Sequence, residues 1–108
     1  MSQKLFGTDG VRGHAGTPPL DPRTVRRLGA ALVRALLPRP EAPHVLIGRD
    51  TRESGDWIER ELAHGATASG AHVTSAGVIP TPAVAYLTGR LHFVVGVVIS
   101  ASLIVVRN

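Results

Sequence analysis

The chain has 108 residues, which is enough for one compact domain, and apolar residues make up 44% of them, a content typical of globular proteins. It contains no cysteine, which excludes disulfides and thiolate metal sites, and no segment reaches the roughly 20 apolar residues that span a bilayer. The formal charge is +4, from 12 Lys and Arg against 8 Asp and Glu, but the arginines are scattered and lack the interleaved aromatic residues of a nucleic-acid surface. We therefore expect a cytoplasmic protein that binds a small anion, without nucleic-acid or membrane partners.

The first half of the chain predicts a loop, a helix and a strand. Frequent Gly and Pro in residues 1–20 indicate a loop with a short extended piece. Asp21 before Pro22 is typical of a helix start, and apolar residues spaced about 3.6 residues apart predict a helix that ends before Pro38. The apolar run Val-Leu-Ile-Gly at 45–48 predicts a buried strand.

The second half continues the alternation of helix and strand. The predicted elements are a helix from about Ser54 that Gly70 closes, a strand at 71–76, a helix at 81–87 with Thr81 as N-cap and Gly89 as terminator, and a strand at 93–99. Such alternation with short connections predicts right-handed crossovers and parallel strands. We therefore expect an α/β fold with three layers, helix/sheet/helix, around a mainly parallel sheet.

A glycine-rich segment near the start, Phe-Gly-Thr-Asp-Gly-Val-Arg-Gly at 6–13, is a candidate anion site. Its glycines allow the backbone to approach an anion closely, Arg12 offers a planar fork for phosphate oxygens, and Thr8 can position a hydroxyl group. A tight turn explains the same composition equally well.

A second candidate lies between a predicted strand and a predicted helix, at 48–55. It places Arg49 and Arg52 beside a helix N-terminus, where anions bind readily. The alternative is a surface network in which Arg49 pairs with Asp50, and Arg52 with Glu53. The pattern alone favours the surface network.

The third candidate is the end of the last predicted strand, which delivers Ser100 and Ser102 to the carboxyl edge of the sheet. A serine at this position commonly marks the point where a strand meets water. A nucleophilic or phosphorylated serine needs a neighbouring base or a metal, and residues 103–106 are all apolar.

Together, the segments at 6–13, 48–55, 77–88 and 96–102 resemble the first domain of the bacterial phosphoglucosamine mutases, within the α-D-phosphohexomutase superfamily. The resemblance extends over residues 4–102. It implies the first domain of the phosphohexomutase fold. It also implies a parent enzyme that interconverts glucosamine 6-phosphate and glucosamine 1-phosphate through a phosphoserine and a sugar bisphosphate.

The resemblance also assigns roles to single residues. Ser102 matches the phosphoserine, whose phosphate is a ligand of Mg²⁺, and Arg12 matches a residue that holds the transferring phosphoryl group. Thr8, Ser100 and Arg49 are further candidates for binding phosphate or substrate, with a hexosamine phosphate as the expected partner.

The sequence departs from the family pattern immediately after Ser102. Family members continue with His-Asn-Pro and a lysine-bearing segment, whereas this chain continues with Leu-Ile-Val-Val-Arg-Asn at 103–108. We therefore expect a domain at 1–102 followed by a divergent, truncated apolar tail, and an inactive fragment of a mutase. The alternative is a non-catalytic module that binds an anion or a sugar phosphate. An open sheet edge also predicts self-association, with residues 103–106 extending the last strand or pairing with another chain.

Overall fold

The computed structural model describes residues 11–12, 21–38, 41–51, 54–100 and 102–107. Within these residues the chain forms one five-stranded sheet with helices on both faces. The strands are β1 (Val11–Arg12), β2 (His44–Arg49), β3 (His72–Val78), β4 (Val95–Ile99) and β5 (Ser102–Arg107). The helices are α1 (Pro22–Leu36), α2 (Ser54–Ala68) and α3 (Thr81–Arg90).

The strand order across the sheet is β1-β5-β4-β2-β3. Strand β2 lies between β3 and β4 and is parallel to both, whereas β5 is antiparallel to β4 and to β1. The central strands are almost continuously apolar and buried, as expected when both faces of a parallel sheet are covered. The predicted three-layer α/β fold with a mainly parallel sheet is therefore confirmed.

The apolar tail forms a strand within the sheet, because the chain reverses direction after β4. Ile99 is paired with Leu103, so β4 and β5 form a hairpin. Strand β5 then lies against the edge of β4 that would otherwise be open, and Leu103 is buried in the core. Self-association through an open edge stays a prediction, and β3 is the outer strand on the opposite side of the sheet.

Helices α1 and α2 cover one face of the sheet and pack closely on each other. The cluster that they form with the sheet includes Val25, Leu32, Ile47, Leu62 and Ile99. Two glycines make the close approach possible. A Cβ atom at Gly29 would collide with the carbonyl oxygen of Leu62, and one at Gly65 would collide with the carbonyl oxygen of Arg26.

Helix α3 covers the other face and is also held close to the sheet by glycines. A Cβ atom at Gly48 would collide with Val84, and one at Gly96 with the hydroxyl group of Thr88. The buried Thr88 hydroxyl donates a hydrogen bond to the carbonyl oxygen of Val84, 2.8 Å away. The polar group is therefore satisfied within its own helix.

The start of α1 and the ends of α1 and α2 agree with the sequence. The side chain of Asp21 caps α1 by accepting a hydrogen bond from the Thr24 N–H, and the helix ends before Pro38. Gly70 follows α2 with a φ of 103°, a conformation that favours glycine.

The predicted limits of α3 are wrong at both ends. Thr81 is the first helical residue and Pro80 is the N-cap, without a side-chain cap. The helix continues through Gly89 to Arg90, and the N–H of Leu91 still donates to the carbonyl oxygen of Leu87. None of the helices among the described residues has the length and apolar content needed to cross a membrane.

Candidate functional site

The carboxyl ends of the parallel strands meet at one edge of the sheet. The backbone N–H of Asp50, which follows β2, donates to the carbonyl oxygen of Ile99 at 3.0 Å. The N–H of Ile79, which follows β3, donates to the carbonyl oxygen of Arg49 at 3.1 Å. The residues that leave these strands are therefore held side by side at the edge where α/β proteins bind ligands.

Strands β1 and β5 bring Arg12 and Ser102 together at this edge. Arg12 is the direct partner of Ser102, and Val11 is the partner of Leu103. The Cα atoms of directly opposed residues in antiparallel strands lie about 4.5–5.5 Å apart. Arg12 and Ser102, which are 90 positions apart in the chain, thus become immediate neighbours next to the end of β4.

Arg49 lies at the same edge, but its guanidinium group is bound by carboxylates of α2. Its Nε donates to Oε1 of Glu59 at 3.1 Å, and Nη2 lies 3.9 Å from Oδ1 of Asp56. The stem of Arg49 passes along the start of α2, since a Cβ atom at Gly55 would lie 3.4 Å from Cδ of Arg49, an ordinary contact. The ion pairs thus join the end of β2 to the start of α2.

These partners differ from the Asp50 that the sequence suggested for Arg49. Asp56 and Glu59 lie in the first and second turns of α2. Residue spacing gave no signal for these contacts, because they depend on how α2 packs against the end of β2. The assignment of Arg49 to phosphate binding stays a prediction. Arg52 lies outside the described residues.

Of the two remaining candidates, Ser100 and Thr8, the structure describes only Ser100. Ser100 follows β4 directly, is partly buried and lies beside the backbone link between Asp50 and Ile99. Thr8 lies outside the described residues, so its predicted role is untouched by the structure.

Histidines gather at the opposite edge of the sheet. The rings of His44 and His72 have centroids 4.8 Å apart, those of His44 and His92 lie 4.6 Å apart, and the His92 ring stacks on Phe93 at 5.1 Å. These residues lie at or just before the starts of the parallel strands, at the end of the sheet opposite Ser100 and Ser102. Across the parts of the chain that the structure describes, no group of three or more His, Asp or Glu side chains is arranged to hold a metal ion.

Comparisons with known proteins agree with this architecture. The family model described as phosphoglucomutase/phosphomannomutase, alpha/beta/alpha domain I, matches residues 3–103. The chain is 55% identical to the phosphoglucosamine mutase of Koribacter versatilis over 100 residues, 54% to that of Solibacter usitatus over 102, and 53% to that of Leptothrix cholodnii over 102.

These matches cover 93% to 94% of this chain, but the chain spans only 22% to 23% of the length of these relatives. The resemblance inferred from the four sequence segments is confirmed. The chain belongs to the phosphoglucomutase/phosphomannomutase family and is homologous to the first α/β/α domain of the phosphoglucosamine mutases.

Proposed function

We propose that this chain provides the serine-bearing part of a phosphoglucosamine mutase site, with Ser102 as the phosphoryl carrier and Arg12 as a ligand of the phosphoryl group. The observation that carries the proposal is the pairing of Arg12 with Ser102 at the carboxyl edge of the sheet. The relatives named phosphoglucosamine mutase support the choice of a hexosamine phosphate as substrate.

The proposed step is a phosphoryl transfer between two oxygens. The bond between phosphorus and the Ser102 oxygen breaks while a sugar hydroxyl oxygen bonds to phosphorus, and the hydroxyl proton ends on the serine oxygen. The resulting bisphosphate returns its other phosphoryl group to Ser102 in the reverse sense. A guanidinium group beside the serine stabilises the charge on the equatorial oxygens during each transfer.

Ser100, Thr8 and Arg49 are the supporting residues in this proposal. Ser100 offers a hydroxyl group on the same hairpin, and Thr8 precedes Arg12 in the glycine-rich segment. Arg49 donates its Nε–H to Glu59 and so joins β2 to α2, and its Nη groups are the donors that this proposal assigns to a phosphate.

Mg²⁺ is the metal implied by the family resemblance, with the phosphate on Ser102 as its ligand from this chain. The described residues do not form a magnesium site by themselves, because they contain no suitable group of carboxylates. Sustained turnover by the chain alone is therefore not expected.

The lack of such a carboxylate group among the described residues favours a second candidate function, a module that binds an anion or sugar phosphate without transferring it. In this alternative Arg12 holds the phosphate and Ser102 donates a hydrogen bond without becoming phosphorylated. For both candidate functions, the proposed location of the chain is the cytoplasm.

Incubation with glucosamine 1,6-bisphosphate separates the two functions. Peptide mass spectrometry is expected to find one phosphoryl group on Ser102, which disappears in Ser102→Ala, persists in Ser100→Ala and forms more slowly in Arg12→Gln. Binding of glucosamine 6-phosphate that depends on Arg12, with no phosphoserine, would establish the non-catalytic module instead. Modification of Ser100 in place of Ser102 would contradict the proposed carrier.

A further inference from the structure

Helix α1 carries a line of three arginines on its outermost side. At about 100° per residue, Arg23, Arg27 and Arg34 fall within an arc of about 40°, opposite the buried side that contains Leu32. All three are exposed. We call these three residues the arginine stripe. It faces away from the sheet, so it is separate from the proposed phosphate site.

Three arginines of the described helices and sheet differ from the stripe because each has a side-chain partner, whereas Arg60 of α2 is, like the stripe, in no ion pair. Arg26 binds Glu61 at 2.8 Å, Arg49 binds Glu59, and Arg90 lies over the ring of Tyr86. None of the ion pairs formed within the described residues includes an arginine of the stripe. Arg23 is attracted by the nearby charge of Asp21, which precedes the helix. Helix α1 itself contains no acidic residue.

This arrangement is unfavourable for the isolated helix. Arg23 and Arg27 are four residues apart, and like charges at that spacing repel. Arg23 also lies in the first turn, close to the positive end of the helix dipole. Asp21 offsets part of this cost at Arg23, and Arg34 in the last turn is favourable to the helix dipole, so the cost falls on the spacing of Arg23 and Arg27. A local choice that lowers helix stability is expected at a functional surface.

We propose that the arginine stripe is a docking surface for an acidic α-helix of a partner protein, which lies along α1. Along the helix axis, Arg27 is about 6 Å from Arg23 and Arg34 about 10 Å further on, spacings that a second helix with matching carboxylates reproduces. Each guanidinium fork can bind a carboxylate through two hydrogen bonds.

The arrangement of the charges in a single line favours an acidic helix over a nucleic acid as the partner. The stripe is a single line, because Arg26 on its flank is already bound to Glu61. Helix α1 carries no aromatic residue on which a base could stack. A narrow line of cations without stacking side chains matches the carboxylate line of an acidic helix.

A binding measurement on the 108-residue chain tests this proposal. The probe is a fluorescent helical peptide with glutamates at positions i, i+4 and i+11, and a peptide of the same composition in scrambled order is its control. Fluorescence anisotropy at low salt is expected to show saturable binding of the aligned peptide and at least fivefold weaker binding of the scrambled one. Added salt is expected to weaken the binding.

Matched charge reversals then locate the surface. Arg27→Glu and Arg34→Glu are expected to weaken binding about tenfold, and Arg23→Glu less, because Asp21 already offsets part of its charge. Arg60→Glu, an equal change at an exposed residue of α2, is expected to change affinity less than twofold. Circular dichroism checks that each variant folds, and Arg27→Gln replaces any reversal that does not.

Three results would overturn the proposal. If Arg60→Glu weakened binding as much as the stripe variants, binding would depend only on net charge. If the scrambled peptide bound equally well, binding would not depend on the spacing of the arginines. Tighter binding of single-stranded oligothymidine or of anionic phospholipid vesicles would assign the stripe to a nucleic acid or a membrane.

Discussion

Arg12 is the direct cross-strand partner of Ser102, and this register is fixed one position along by the pairing of Val11 with the buried Leu103. Leu103 packs in the core beneath α1 and α2. A slip of one residue between these strands would move Leu103 to the other face of the sheet. Burial of Leu103 therefore maintains the neighbourhood of Arg12 and Ser102.

Leu103→Ala is expected to destabilise the chain by about 2–4 kcal/mol, because it removes a fully buried side chain and leaves a cavity. Ile104→Ala, at a partly buried position on the other face, is the matched control and is expected to cost less. Urea unfolding followed by circular dichroism measures both. Equal losses would show that Leu103 is not the residue that anchors β5.

Glycines at the contact between α1 and α2 are expected to tolerate alanine less well than the exposed Gly89 of α3. Gly29→Ala and Gly65→Ala are each expected to destabilise the chain by about 1–3 kcal/mol, since the added methyl group meets backbone atoms that cannot turn aside. Gly89→Ala, in a helix and facing open space, is expected to leave stability unchanged or raise it by up to about 1 kcal/mol. Thermal unfolding of the three variants checks the prediction, which fails if Gly29 or Gly65 tolerates alanine as Gly89 does.

The ion pair of Arg49 with Glu59 is expected to contribute more to stability than that of Arg26 with Glu61. The Arg49 side chain is 24% exposed, whereas that of Arg26 is 51% exposed and is better screened by water. Double-mutant cycles with Met for Arg and Gln for Glu are expected to give a coupling of about 1 kcal/mol for the first pair and about 0.5 kcal/mol or less for the second. The reverse order would contradict the structural role assigned to Arg49.

Asp21 predicts a small dependence of stability on acid pH. Hydrogen bonding from Thr24 lowers the pKa of Asp21, and burial of the carboxyl group partly opposes this shift. Because the folded state favours the charged carboxylate, its contribution is complete above the ordinary pKa of about 4 and is lost as the pH falls through the lower value of the folded state.

Asp21→Asn is the matched control for this effect, since asparagine also caps helices but does not titrate. The melting temperature of the unmodified chain is expected to fall more steeply than that of Asp21→Asn between about pH 5 and pH 3. Parallel slopes for the two proteins would argue against a role for the Asp21 charge.

Local sequence patterns were sufficient to predict most of the central layers. The Asp21-Pro22 pair and the apolar spacing after it predicted α1, and continuous apolar runs predicted β2 and β4. Residues 103–106 were expected to extend the last strand or to pair with another chain, whereas they turn back and pair antiparallel to β4 as part of β5, a reversal that no local pattern indicated. Strand β1 has two residues and therefore no periodicity to detect.

The candidate site was less accessible from sequence because its contacts are long-range. The carboxyl-edge positions of Arg49 and Ser100 followed from the predicted strands, since parallel strands end at a common edge. The binding of Arg49 by Glu59 depends on how α2 packs against the end of β2, which residue spacing does not encode. The opposition of Arg12 and Ser102 depends on a register that only the folded sheet defines.

The most direct test of the central claim is a disulfide between the two positions, in a chain that has no cysteine of its own. Arg12→Cys/Ser102→Cys is expected to form an intramolecular disulfide after mild oxidation, because opposed Cα atoms lie within the range that disulfides bridge. Arg12→Cys/Val106→Cys places the second thiol about 13 Å further along β5 and is expected to retain two free thiols. Thiol counting by mass spectrometry that finds the first pair free, or both pairs bridged equally, would contradict the account.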